Sequence, residues 1–219
     1  TPFPKPKGLG HFFLKLGKTV GRLFRLGFFG FLGAGIWLAF PVLILVLASD
    51  AANQGLAFLG SLFGGILLGI AVLFVPFLQT RYAITNRFKS FFEVSEAKRL
   101  FRHAPVAFWL ALSVTLLFAL PLYLLKIELT PNEVAWLPNL FFVLVIFPAR
   151  LLLGWALARA EKAEIPKHWA PRWLSRFAVF PVVAAYVFVV WLSQYLSWHG
   201  TYSLLEQHAF LVPAPLFGL

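Results

Sequence analysis

The sequence predicts an all-α polytopic integral membrane protein with about five transmembrane helices and short amphipathic helices at the membrane interfaces. Three observations carry this. The 219 residues are 60% hydrophobic and only 12% charged, whereas ordinary globular domains are about a quarter charged. The apolar residues fall in long uninterrupted stretches: residues 56–78 are 23 residues without a charge, enough to cross a hydrocarbon core of about 30 Å. The cations gather beside those stretches. A net charge of +11 would otherwise suggest nucleic acid, but cations flanking apolar spans match anionic headgroups, and no nucleic-acid partner is expected. The chain reads as one membrane domain over residues 1–219. With no cysteine, disulfides, thiolate metal sites and cysteine catalysis are excluded.

Residues 1–7 form a proline-rich basic arm. In the N-terminal amphipathic segment, residues 8–26, His11, Lys15, Lys18, Arg22 and Arg25 recur at steps of four, three, four and three. That spacing places them on one stripe of a helix. The segment is expected to lie in the interface plane, with Lys15, Lys18, Arg22 and Arg25 contacting anionic lipid; the alternative is an extension of the first span. Gly10, Gly17 and Gly21 weaken the helix in isolation.

The first span covers residues 27–48 and contains Pro41, which removes a backbone donor. No small-residue cleavage site follows a short apolar core, so it reads as a retained helix. In the second span, residues 56–78, the run GSLFGGILLG sets Gly60 and Gly64 on one row and Ser61, Gly65 and Gly69 on the next. Small-residue rows let helices approach closely, within the chain or against another subunit. Residues 79–104 form a basic connection interleaved with Phe88, Phe91, Phe92 and Phe101. One or two surface helices are expected there, with Ser95 capping the second. The third and fourth spans cover residues 105–125 and 136–158, and a further basic connection carries the anchors Trp169 and Trp173. The fifth span is residues 177–198. An extracytoplasmic tail, residues 199–219, ends too apolar to be freely solvated.

Cation counts set the topology. The segments before span one, between spans two and three, and between spans four and five hold 6, 6 and 5 Lys/Arg, that is 17 of the 19. The opposite side holds only Lys126. The positive-inside bias puts the N-terminus in the cytoplasm and the C-terminus outside, in a bacterial cytoplasmic (inner) membrane.

Arg150 is the one cation inside a span. It lies about 12 Å from the cytoplasmic end at 1.5 Å per residue, and costs at least about 2.5 kcal/mol unless it snorkels, meets water or pairs. Pairing with helix carbonyls or a lipid phosphate, and a place on a substrate path, both stay open. No acidic residue in any span partners it. The histidines, His11, His103 and His168 on one side and His199 and His208 on the other, form no metal cluster. His199, Ser203 and Glu206 share helical spacing without a catalytic signature. GxSxG, HExxH and the phosphate and dinucleotide glycine loops are absent. No catalytic residue, metal or cofactor is expected; bound lipids are, and contact with a pigment or haem stays open.

The run QTRYAITNRFKSFFEVSEAKRLFRHAP, residues 79–105, and more loosely FPARLLLGWALAR, residues 147–159, resemble the DUF4013 group of bacterial and archaeal multipass membrane proteins. The resemblance covers the second span through the fifth. It implies a small multipass protein and supplies no active site. The expected function is a structural or accessory subunit stabilising a larger membrane complex, an energy-converting one being a candidate, with other integral membrane subunits and anionic phospholipids as partners. The alternatives are a small transporter or channel with Arg150 in its path and, third, an enzyme acting on lipid.

Overall fold

A computed structural model describes residues 9–127, 136–196 and 200–206. Its long elements are all helices: α1 Leu9–Ser49, α2 Gln54–Thr85, α3 Val94–His103, α4 Pro105–Ile127, α5 Trp136–Lys162 and α6 Trp169–Leu196, followed by the short α7 Ser203–Glu206. A 3-10 turn, Phe88–Phe92, joins α2 to α3. Three stretches are long and apolar enough to cross a membrane: Lys15–Ser49, Gln54–Thr85 and Trp169–Leu196. A fourth arises if α3 and Pro105–Phe118 of α4, bent by 114°, count as one. Among the described residues the count is therefore three or four, where the sequence predicts about five. Helices α4 and α5 occupy the third and fourth predicted positions; residues 128–135 between them lie outside the described residues.

α1 is one unbroken helix of 41 residues, about 60 Å long. The N-terminal stripe is thus the continuation of the first apolar span, not a separate interfacial helix. The physical reason is local: no proline lies between Pro6 and Pro41, and glycines lower helix propensity without removing a hydrogen bond. α1 and α2 form an antiparallel hairpin. At its turn the side-chain oxygen of Asn53 accepts from the N–H of Gly55 at 2.8 Å and of Leu56 at 3.2 Å, capping α2.

At its other end α2 continues to Thr85, beyond the expected limit of the span. Asn86 closes it in the left-handed region, φ 53°, donating its N–H to the Tyr82 carbonyl at 2.7 Å. Asparagine tolerates that backbone better than most residues. α3 begins at Val94, with Glu93 at the cap position and no side-chain capping bond. Ser95 therefore lies inside the helix and is not its cap, because Arg81 holds the chain here through Glu93. Pro105 opens α4, a position where its missing N–H costs nothing.

α4 lies between α5 and α6, and α2 meets both α5 and α6 to join this group to the hairpin. Leu68, Val72, Val75, Leu112, Leu116, Leu153, Tyr186 and Val190 form the shared core. Leu204 of α7 is also fully buried there. The start of the tail thus folds back onto the helices, with Ser49 Oγ donating to Thr201 Oγ1 at 3.4 Å. Residues 207–219 lie outside the described residues.

Candidate functional site

The polar groups gather where α2 enters the basic connection. Gln79 is the first polar side chain after the uncharged stretch of α2, and it is buried at 9% exposure. Its Oε1 accepts from Arg150 Nη1 of α5 at 2.6 Å, while its Nε2 donates to the Gly30 carbonyl of α1 at 3.4 Å. One amide thus connects three helices. A charge-assisted bond of this length is among the stronger hydrogen bonds. For Arg150 the sequence left open pairing with helix carbonyls or a lipid phosphate and a place on a substrate path. The structure puts a glutamine side chain among its partners, two residues from Arg81 and so about 3 Å along α2.

Arg81 forms the next polar layer. Its guanidinium meets Glu93 at 2.6 Å and Glu96 at 3.2 Å, with only 12% of the side chain exposed. Glu96 also accepts from Arg99 Nε at 2.8 Å. The Arg99 hydrogen bond, opposed by partial burial and aided by the charges of Arg99 and Arg81, pulls the Glu96 carboxyl down to about 2. These pairs fasten amphipathic α3 across the end of α2. Thr85 and Ser90 share a hydrogen bond at 2.7 Å. Trp37 Nε1 of α1 donates to the Phe91 carbonyl at 3.0 Å.

Phe91 has no exposed surface and packs against Tyr82 and Phe88. Its ring lies on Gly33 of α1, where an added Cβ would fall 2.5 Å from ring carbons. Gly33 and Gln79 are the two residues that sequence reasoning missed. Gln79 carried a signal, a lone amide ending an uncharged span; among Gly27, Gly30, Gly33 and Gly35, nothing marked Gly33.

The small residues of α2 divide between two neighbours. Added Cβ atoms at Gly60 and Gly64 would come 2.8 Å from Ala48 and 2.9 Å from Leu45, both on α1. At Gly65 and Gly69 they would come 3.3 Å from Val187 and Val183 of α6. Ser61 lines a groove of about 690 Å³ on this second side. A second cavity of about 570 Å³ lies between α2, α3, α4 and α6. Arg150 lines neither.

Lys15, Lys18, Arg22 and Arg25 are exposed on α1. Among the described residues no group of three His, Cys, Asp or Glu could hold a metal. His103 Nδ1 lies 2.9 Å from the Arg99 carbonyl, His168 lies beside Trp169, and His199 and His208 are outside the described residues. Ser203 is buried, its hydroxyl 3.2 Å from that of Ser193. Protein-family models, curated proteins and solved structures give no match to this chain.

Proposed function

We propose that this chain is a structural or accessory subunit of a larger integral-membrane complex in a bacterial cytoplasmic membrane. On this reading the basic connections and the N-terminus face the cytoplasm and the C-terminus faces outward. The observation that carries it is the N-terminal half of α1. Every residue from 15 to 25 is exposed, including Leu16, Val20, Leu23 and Phe24 at 47%, 56%, 62% and 75%. A helix that leaves apolar residues uncovered on all sides gains its stability from lipid or from another protein. Each fully buried Leu or Phe is worth about 1.5–3 kcal/mol, before the cost of association.

The Arg150–Gln79–Gly30 node supports the same reading, because a transporter arginine faces its path while this one ties helices together. The test compares the wild type with a Leu23→Ser, Phe24→Ser variant in mild detergent. Both remain membrane-inserted. The wild type migrates on native gels in a high-mass species and the variant as the isolated chain, and proteoliposomes of purified chain show no ion or solute flux. Migration of the wild type as an isolated chain, with flux abolished by Arg150→Leu, would overturn the subunit in favour of a transporter.

A further inference from the structure

We propose that the seam between α2 and α6 is a binding site for one anionic glycerophospholipid drawn from the membrane. Its headgroup phosphate lies among Lys98, Arg102, Arg172 and Arg176, and an acyl chain runs along the seam. The site rests on membrane placement, but not on the subunit role.

The 570 Å³ cavity has an exposed cationic rim and a buried apolar floor. Lys98 and Arg102 stand one turn apart on α3, and Arg172 and Arg176 one turn apart on α6, all four lining it. Phe77, Phe108 and Leu112 line it as well, at 4% exposure or less. Aromatic rings position two of the cations: Lys98 Nζ lies 5.7 Å from the centre of Phe74, and the Arg176 guanidinium lies 5.8 Å from Phe101 and 5.5 Å from Trp173. Such contacts orient a cation without neutralising it.

Among the described residues none of these four cations forms an ion pair within 4 Å. Among the described residues the ion pairs within 4 Å engage Arg81, Arg87 and Arg99, which take up Glu93 and Glu96. Facing pairs of cations around one opening suit a phosphate, which accepts several charge-assisted hydrogen bonds at once.

The apolar half of the ligand has a neighbouring surface to follow. Leu73, Val179 and Phe180 line both this cavity and the 690 Å³ groove, so the two adjoin along α2 and α6. Gly65 and Gly69 hold α2 close to α6, and the exposed Ile66, Ile70, Phe180 and Phe188 line the groove outside that contact, an apolar surface for a hydrocarbon chain. Volumes of this size match small-ligand sites of about 300–1,000 Å³.

The experiment uses native mass spectrometry of the full-length protein in mild detergent, with phosphatidylglycerol or phosphatidylcholine added. One phosphatidylglycerol is retained over phosphatidylcholine by about tenfold or more, as expected for several cations near one anionic group. Arg172→Gln with Arg176→Gln removes the preference, and Lys89→Gln with Lys162→Gln, two exposed cations outside the cavity lining, leaves it intact. Phosphatidylglycerol carrying a photoreactive group midway along its chain crosslinks to α6 near Val183 and Val187. Equal retention of both lipids, a preference indifferent to Arg172 and Arg176, or crosslinks confined to α1 or to another protein would overturn the site. Carbonate extraction of the same variants separates loss of the lipid site from failure of membrane placement.

Discussion

Arg150 and Gln79 show how one side chain can make an arginine tolerable among apolar helices. The Gln79 amide offers the guanidinium an oxygen at 2.6 Å and uses its own nitrogen on α1. Gln79→Leu removes the acceptor of a charged hydrogen bond, a change expected to destabilise the fold by about 1.5–3 kcal/mol. In the Arg150→Leu background the same substitution should cost much less; thermal unfolding in detergent of the two single variants and the double variant checks this, and additive effects would refute the coupling. At Glu96 the carboxyl is drawn from about 4.5 down to about 2 by Arg99 and then Arg81. A depressed carboxylate contributes stability above its unfolded value, and that contribution is lost as pH falls through the folded one. Glu96→Gln is therefore expected to cost about 1 kcal/mol at neutral pH, a partly solvated network being modest in strength. The gap between variant and wild type should be constant from pH 8 to 6 and shrink below about pH 4.5; a gap unchanged at pH 3 would remove Glu96 from the network.

At the scale of elements, close approach decides which helices pair. Ala48 against Gly60, Leu45 against Gly64 and Gly30 against Gln79 keep one antiparallel register along the whole α1–α2 hairpin. Gly33 performs a different task, receiving the Phe91 ring that locks the 3-10 turn onto α1. Gly33→Leu and Gly60→Leu each place atoms where a neighbour already stands, so both are expected to lower folded yield severalfold, with a cost of about 1–3 kcal/mol from overpacking. Ile66→Ala, on an outward face at 55% exposure, is the control and should be near neutral. Equal thermal stability of all three variants, measured in the same detergent, would dismiss the close-packing account.

At the scale of the molecule, α3 turns 114° away from α4, lying across the end of α2 where the cations gather. On the proposed topology Lys18, Ser95 and Lys167 fall in the cation-rich segments of the sequence, and Glu128 and Glu206 in the segments of the opposite side. Single cysteines at the first three positions are expected to react with an impermeant reagent only from the cytoplasm, and those at the last two only from outside. Labelling of positions 95 and 167 from opposite faces would break the proposed topology.

What the sequence by itself determined was the helical class and the separation of cations from apolar stretches; the helix limits differ, since α2 runs on to Thr85 and Ser95 lies inside α3. Class and separation are local or compositional properties: a run of uncharged residues or a proline reads the same in any fold. The unbroken α1 was less legible, since glycines interrupt the pattern without interrupting the backbone. Tertiary structure alone decided that Arg150 meets Gln79, 71 residues away, that Phe91 presses on Gly33, and that the two small-residue rows of α2 serve different neighbours. It also brought Lys98 and Arg102 opposite Arg172 and Arg176, two helical pairs about seventy residues apart in the chain. Such meetings depend on which faces of separate helices pack together, and side-chain spacing within one helix carries no record of its neighbour.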